Sequence, residues 1–277
     1  MSEAENADST GFKHVDPVEL PQDAALAKHN RNYAFKVVVP SLGNLYDGRF
    51  PGGEVIISPM TIQEEKILAS QGKDKSEIID ELLQRCILSL PVPYPELLIP
   101  DMFYLLLQVR NVTYGLDYRF NMTCRSCSTE YITNIQLPNG LDLVGLSEND
   151  TEPFSCTLPM CKQVVEWRYL RNKDEVDIRK YTRAQYTKSH TFGEPGYIYR
   201  IAKQIVSIGG VKKNMIEVLD FVEKLHARDS TELRKSFKAQ SFGANLKIRV
   251  ECPRCGKEEE DTLPFDQEFF RPGSLTE

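Results

Sequence analysis

Two stretches of the chain alternate apolar and polar residues with the two-residue period of a β-strand. The apolar positions are Leu116, Tyr118, Phe120 and Met122 in the first stretch, and Leu246, Ile248 and Val250 in the second. Each stretch leads into a Cys-x-x-Cys motif, and a polar, strand-like segment follows each motif. The pattern therefore predicts two β-hairpins, each carrying a pair of cysteines at its tip.

The rest of the chain shows helical spacing and shorter strand-like runs. Helices are predicted over residues 61–68, 75–88, 101–109, 172–192, 197–208, 214–228 and 231–242. Asp101 is expected to cap the third of these helices. Strand composition marks residues 35–39 and 54–60, and a further strand pair is expected within residues 154–170. Together these elements predict an α+β fold with small β segments.

The order of the elements predicts four regions. Residues 1–33 contain prolines and many charges without a sustained apolar period, so we expect a flexible N-terminal arm. Residues 34–112 form an N-terminal α/β region. The hairpins at residues 113–137 and 243–272 form one discontinuous, zinc-ribbon-like β module. Residues 138–242 are then a largely helical insertion between the two halves of that module.

Composition and charge narrow the class of protein. A chain of 277 residues can bury a sizeable core without disulfides. The 34 basic and 40 acidic residues give a net charge of −6, which argues against a nucleic-acid footprint covering the whole protein. No apolar run approaches the roughly 20 residues of a membrane span. The acidic, polar N-terminus does not have the pattern of a secretory signal, so synthesis in a reducing cytosol is expected.

The seven cysteines are the main candidate chemistry. Their odd number and the expected cytosolic setting argue against a disulfide framework. Two hairpin tips with two thiolates each would supply the tetrahedral sulfur set that zinc prefers. We therefore predict one structural zinc per chain, held by Cys124, Cys127, Cys252 and Cys255. Such a site has no open position for water, which argues against catalysis at the metal.

Two other interpretations of the cysteines stay open. Zinc ribbons usually separate their two Cys-x-x-Cys motifs by about 15–20 residues, whereas 125 residues separate Cys127 from Cys252. A rival set would include Cys156 and Cys161, which follow the first motif more closely. The third interpretation is that the cysteines are reduced structural thiols. Cys86 lies on an apolar helix face, and we expect it in the core.

Other candidate sites are weaker, and no catalytic or cofactor-binding residue is predicted. The stretch 168–190 interleaves basic and aromatic residues, a combination that can contact nucleic acid. The same stretch carries Asp174, Glu175 and Asp177, so a solvated helix or a protein contact is the alternative interpretation.

Several short motifs follow one another in an informative order. They are PSLG at 40–43, GEVIISPMT at 53–61, EEKIL at 64–68, IDELL at 79–83, CPRCG at 252–256 and FFRP at 269–272. In this order the chain resembles the baseplate hub and hub-assembly proteins of T4-like tailed bacteriophages, over most of residues 35–272. The long arm at 1–33 and the cysteines at 156 and 161 are not part of the pattern expected for that family.

The resemblance implies a structural or assembly role in the baseplate hub of a contractile tail, without enzymatic activity. The implied partners are other baseplate, hub and tail proteins, in a symmetric assembly, with neither membrane nor nucleic acid as a partner. The implied location is the host cytoplasm during assembly, and the tail baseplate if the protein is retained in the virion. The alternative is a zinc-ribbon protein that binds nucleic acid or acts in transcription, which the double Cys-x-x-Cys supports and the net charge opposes.

Overall fold

The fold is given by a computed structural model, which describes residues 16–18, 33–68, 74–147, 150–188, 195–264 and 268–270. Within these ranges there are seven α-helices: α1 Ile62–Leu68, α2 Lys75–Cys86, α3 Ile99–Tyr114, α4 Asn172–Lys188, α5 Pro195–Gln204, α6 Met215–Glu223 and α7 Ala227–Ala239. The strands are β1 Asp16–Val18, β2 Ala34–Val38, β3 Glu54–Ile57, β4 Ile87–Ser89, β5 Asp117–Thr123, β6 Glu130–Gln136, β7 Asp142–Val144, β8 Phe154–Thr157, β9 Val164–Trp167, β10 Ile205–Ile208, β11 Gly243–Asn245, β12 Lys247–Glu251 and β13 Glu258–Thr262. All the strand pairs are antiparallel. The predicted mixture of helices and small β segments is therefore confirmed.

A four-stranded sheet in the order β1-β2-β3-β4 forms the N-terminal part of the described fold. Its inward residues, such as Val37, Val55 and Ile57, pack in the core with helices α2 and α3. Cys86, at the end of α2, is fully buried there, as predicted. Because α3 is apolar on most of its surface, it lies in the interior with residues on nearly every side covered.

The start of α3 differs from the prediction. The helix begins at Ile99, two residues before Asp101, because Pro100 is well suited to the first turn. Asp101 therefore lies inside the helix and does not cap it. Its buried carboxylate instead accepts hydrogen bonds from the main-chain N–H of Ser41 (2.9 Å) and from the Tyr46 hydroxyl (2.7 Å). These two hydrogen bonds hold the turn-rich segment after β2 against the first turn of α3.

The predicted N-terminal arm, residues 1–33, lies outside the described residues except for Asp16–Val18 and Tyr33. Asp16–Val18 is a strand that pairs with the edge of β2, so that Pro17 lies opposite Phe35. The pairing is favourable because an unpaired strand edge presents main-chain groups that seek partners. This short part of the predicted arm thus belongs to the N-terminal sheet.

The region between the hairpins contains helices α4 to α7 and a three-stranded sheet in the order β10-β9-β8. Trp167 on β9 is fully buried and packs against Phe154, Tyr169 and Phe237. The helix predicted over residues 197–208 ends at Gln204, and its last four residues form β10. The β-branched residues of β10 favour a strand, and the two glycines that follow supply the positive φ angles of a tight turn.

One short strand pair joins the two ends of this region. Strand β7 lies just after the first hairpin and pairs with β11, which lies just before the second hairpin, so that Val144 is opposite Gly243. The added Cβ of any other residue at Gly243 would lie 2.9 Å from the Pro100 side chain on α3. The end of the region between the hairpins therefore lies beside its beginning, and at Gly243 it packs closely against α3. This brings the two cysteine hairpins together.

Candidate metal centre

The two predicted hairpins are present with the expected inner faces. Strands β5 and β6 pair without interruption from Asp117 opposite Gln136 to Thr123 opposite Glu130. Strands β12 and β13 pair in the same way, and Glu251 lies opposite Glu258. Most of the alternating residues predicted to face inward are buried or partly buried: Tyr118, Phe120, Met122, Leu246, Ile248 and Val250. Leu116, which belongs to the same predicted set, is exposed. Apolar burial of these faces fixes the register of each hairpin. The two tips lie side by side, with their four cysteines close together.

The tip of the first hairpin is a tight turn from Cys124 to Thr129. The main-chain N–H of Cys124 donates to the Thr129 carbonyl (3.0 Å), and the N–H of Ser128 donates back to the Cys124 carbonyl (2.9 Å). Ser128 adopts a φ of 54°, in the left-handed region. The N–H of Ser126 points at the Cys124 sulfur, with a distance of 3.4 Å from N to Sγ. The turn therefore aims Cys124 and Cys127 away from the strands and toward one point.

The tip of the second hairpin repeats this main-chain geometry. The N–H of Cys252 donates to the Lys257 carbonyl (3.0 Å), and the N–H of Gly256 donates to the Cys252 carbonyl (2.9 Å). Gly256 occupies the position equivalent to Ser128 and has a φ of 67°. Glycine adopts this conformation at little cost, which explains the residue after the second Cys-x-x-Cys. The two tips are thus two copies of one cysteine turn.

The four sulfur atoms of Cys124, Cys127, Cys252 and Cys255 all lie within 4.8 Å of one another. Across the two hairpins, the Sγ atoms of Cys124 and Cys255 are 3.7 Å apart, as are those of Cys127 and Cys252. A tetrahedral zinc with bonds of about 2.3 Å places its sulfur ligands about 3.8 Å apart. The observed separations fit that geometry, so these four residues could hold a metal ion.

The pKa values of two of the thiols also favour a metal at this position. The Thr129 side chain and main chain stabilise the Cys127 thiolate by hydrogen bonding and lower its pKa to about 6. A hydrogen bond from the main chain of Lys257 lowers the pKa of Cys255, but local desolvation and hydrogen bonds with the three neighbouring thiols outweigh it and raise this pKa to about 12. One thiolate thus opposes ionisation of the next. A bound divalent cation would remove that conflict, because it stabilises all four thiolates together.

The rival cysteines do not join this cluster. Cys156 lies on β8, and Cys161 is exposed in the turn between β8 and β9. The main-chain N–H groups of Met160 and Cys161 in that turn bind the buried Asp229 carboxylate on α7. The structure therefore brings together the four predicted cysteines and leaves the rival pair in a different part of the fold.

Sequence reasoning did not identify Glu259, a buried carboxylate beside the cluster. Its Oε1 atom lies 3.6 Å from the sulfur of Cys124, and both of its oxygens accept the main-chain N–H of Arg125 (3.0 and 3.2 Å). Residues 258–261 are all acidic, so Glu259 is not distinguishable from its neighbours by residue type. Only its position in the strand pair could have indicated its burial. Glu259 lies opposite Val250, whose side chain faces inward.

The arginines of the basic stretch 168–190 form ion pairs within the described part of the protein. Their partners are acidic residues on neighbouring segments and on α4 itself: Arg168 pairs with Asp174, Arg171 with Glu152, Arg179 with Asp80, and Arg183 with Asp74 and Glu77. Guanidinium groups held in this way are less available to phosphate groups. These contacts favour a structural role for the stretch over a nucleic-acid interface.

Within the part of the chain that the structure describes, no helix combines the length and apolar character that a membrane crossing requires.

The comparisons with known proteins agree with the motif order. A family model described as "T4 bacteriophage base plate protein" matches residues 30–271, which is most of the chain. The match includes both cysteine hairpins and every described helix. No curated protein and no solved structure is significantly similar to the chain. The predicted relationship to T4-like baseplate proteins is confirmed at the level of the family, and the chain belongs to the T4 bacteriophage base plate protein family.

Proposed function

We propose that the protein is a structural or assembly component of the baseplate hub of a contractile phage tail. The family match over residues 30–271 carries this proposal, because the family is one of structural phage components. The protein would act by binding other hub and tail proteins in a symmetric assembly, without enzymatic activity. Assembly would take place in the host cytoplasm, and the mature location would be the tail baseplate.

The second part of the proposal is one structural zinc per chain, bound by Cys124, Cys127, Cys252 and Cys255. The 3.7 Å sulfur separations across the hairpins and the two matching turns support it. The metal would join two segments that are far apart in the sequence, and its binding free energy would add to the stability of the fold. Residues 113–137 and 243–272 would then act as one module, with residues 138–242 as an insertion.

Affinity purification of the tagged protein from phage-infected cells tests the hub role. After a high-salt wash, mass spectrometry should find hub, spike or tape-measure proteins, because large protein interfaces are less sensitive to salt than phosphate contacts. Recovery of nucleic acid or transcription proteins alone would contradict the proposal and favour the zinc-ribbon nucleic-acid function. Binding of DNA that falls steeply with salt would support that second function in the same way.

A further inference from the structure

The cysteine turns are joined by contacts that do not involve sulfur. Glu259, on β13 of the second hairpin, accepts the main-chain N–H of Arg125 in the first cysteine turn with both carboxylate oxygens. The Arg125 side chain reaches Asp261 at 2.9 Å, and Arg254 donates to the Thr129 hydroxyl at 3.2 Å. The two hairpins therefore contact each other around the metal position through residues of both tips.

These contacts differ in burial, and burial decides their strength. The Arg125 guanidinium is 65% exposed, so its ion pair with Asp261 is worth little in water. The hydrogen bond from Arg254 is also at an exposed position. Glu259 is 9% exposed, and the main-chain N–H of Arg125 donates to it at a sheltered position. Water competes little for a hydrogen bond in such a place, so this contact is the strongest candidate for holding the two tips together.

We propose that Glu259 is a positioning residue for the four-cysteine site, a role that rests on the metal site proposed above. It fixes the main chain of the first cysteine turn at Arg125, next to Cys124, and so holds that turn against the second hairpin. The four sulfurs then converge before a metal arrives. Groups that hydrogen-bond around a metal site in this way set ligand orientation and thereby metal affinity.

The negative charge of Glu259 is not what the role requires. In the structure the Cys124 thiol donates to the Oε1 atom of Glu259 over 3.6 Å. Once a metal replaces the thiol proton, this hydrogen bond is lost and the carboxylate would repel the thiolate. The role requires an acceptor oxygen for the Arg125 N–H. Glutamine keeps one such oxygen and removes the charge, so Glu259→Gln should hold metal at least as well as the wild type. Methionine fills a similar volume without a comparable acceptor, so Glu259→Met should not.

Cobalt binding to the full-length, metal-free, reduced protein tests the role, because tetrahedral cobalt–thiolate sites have characteristic absorption bands. We expect Glu259→Met to bind Co²⁺ about 10- to 100-fold more weakly than the wild type, and Glu259→Gln to match or exceed the wild type. Glu258→Met is the matched control, since Glu258 is exposed on the same strand. Circular dichroism checks folding, and Glu259→Ala serves as the second variant if the methionine protein does not fold.

The outcomes separate this role from the metal site itself. Equal affinity in Glu259→Met, Glu258→Met and the wild type would overturn the positioning role while leaving the site intact. A Glu259→Gln protein as weak as Glu259→Met would also overturn it, because the retained acceptor would then have no effect. Absence of cobalt–thiolate bands in the wild type would overturn the metal site, and the role of Glu259 with it.

Discussion

Asp101 should give the protein a pH-dependent stability that a single substitution removes. Its carboxyl group is fully buried in the first turn of α3, where it binds Ser41 and Tyr46 of the segment after β2. Burial raises the pKa of Asp101 to about 6, from an ordinary value of 3.8, although the hydrogen bonds from Ser41 and Tyr46 pull it in the other direction. The folded protein therefore holds this proton more tightly than the unfolded chain does.

The sign and size of the pH effect on the free energy of unfolding follow from that pKa difference. The folded state binds more protons than the unfolded state between about pH 4 and pH 6, so the contribution of Asp101 to stability falls as the pH rises through this window. Each pKa unit corresponds to about 1.36 kcal/mol. The rise from 3.8 to about 6 thus makes a difference of about 3 kcal/mol in the free energy of unfolding between the protonated and the charged form.

Asp101→Asn resembles the protonated form at every pH. Its amide oxygen can accept the Ser41 N–H, as a protonated carboxyl would, and it carries no charge to desolvate. We therefore expect the stability of the variant relative to the wild type to increase by about 2 kcal/mol between pH 4 and pH 7, since the rest of the difference lies below pH 4. Other titrating groups are common to both proteins, so their effects cancel in this comparison.

Urea unfolding followed by circular dichroism at several pH values measures this difference. Asp142→Asn is the control, since Asp142 is exposed on β7 and should show no comparable trend. A relative stability of Asp101→Asn that stays constant from pH 4 to pH 7, or that falls with rising pH, would refute the assignment of a buried, destabilised carboxylate.

Two further predictions concern backbone and packing. Gly43→Ala should destabilise the protein by about 3 kcal/mol or more in chemical denaturation, because its Cβ would lie 1.6 Å from the Phe50 carbonyl oxygen. Gly48→Ala has a similar φ but open space around it and should cost only about 1–2 kcal/mol, so equal losses would contradict the close approach. Leu105→Ala should cost about 2–5 kcal/mol, because Leu105 is fully buried in the core. Ile216→Ala, at an 80% exposed position, should leave the denaturation midpoint nearly unchanged, and a matching loss would argue against the described core.

Alternation along the sequence was sufficient to predict the cysteine hairpins. Tyr118, Phe120 and Met122 are buried on one face of β5, since a strand turns successive side chains to opposite sides. Leu116 belonged to the same pattern but lies just before the strand and is 38% exposed. The two-residue period therefore located β5 correctly, although it did not predict the residue at which the strand begins.

Contacts between distant segments explain what the sequence did not predict. Aspartate is a residue type that often caps helices, so the sequence favoured that role for Asp101. Its actual partner Ser41 lies 60 residues away, and only the folded chain brings the two together. Glu259 looks like one of several solvated acids, and its burial depends on how the second hairpin faces the first. The pairing of β1 with β2 was also not predicted, because a free strand edge accepts almost any extended segment.

Measurement of the metal content of the purified protein tests the central claim of a four-cysteine structural metal centre most directly. Elemental analysis should find one zinc per chain in the wild type and in Cys161→Ser, whose substituted thiol lies outside the cluster. Cys252→Ser should lose the zinc and unfold at a lower temperature, because removing one ligand opens the site and weakens the link between the hairpins. Equal zinc content in the wild type and in Cys252→Ser would contradict the account.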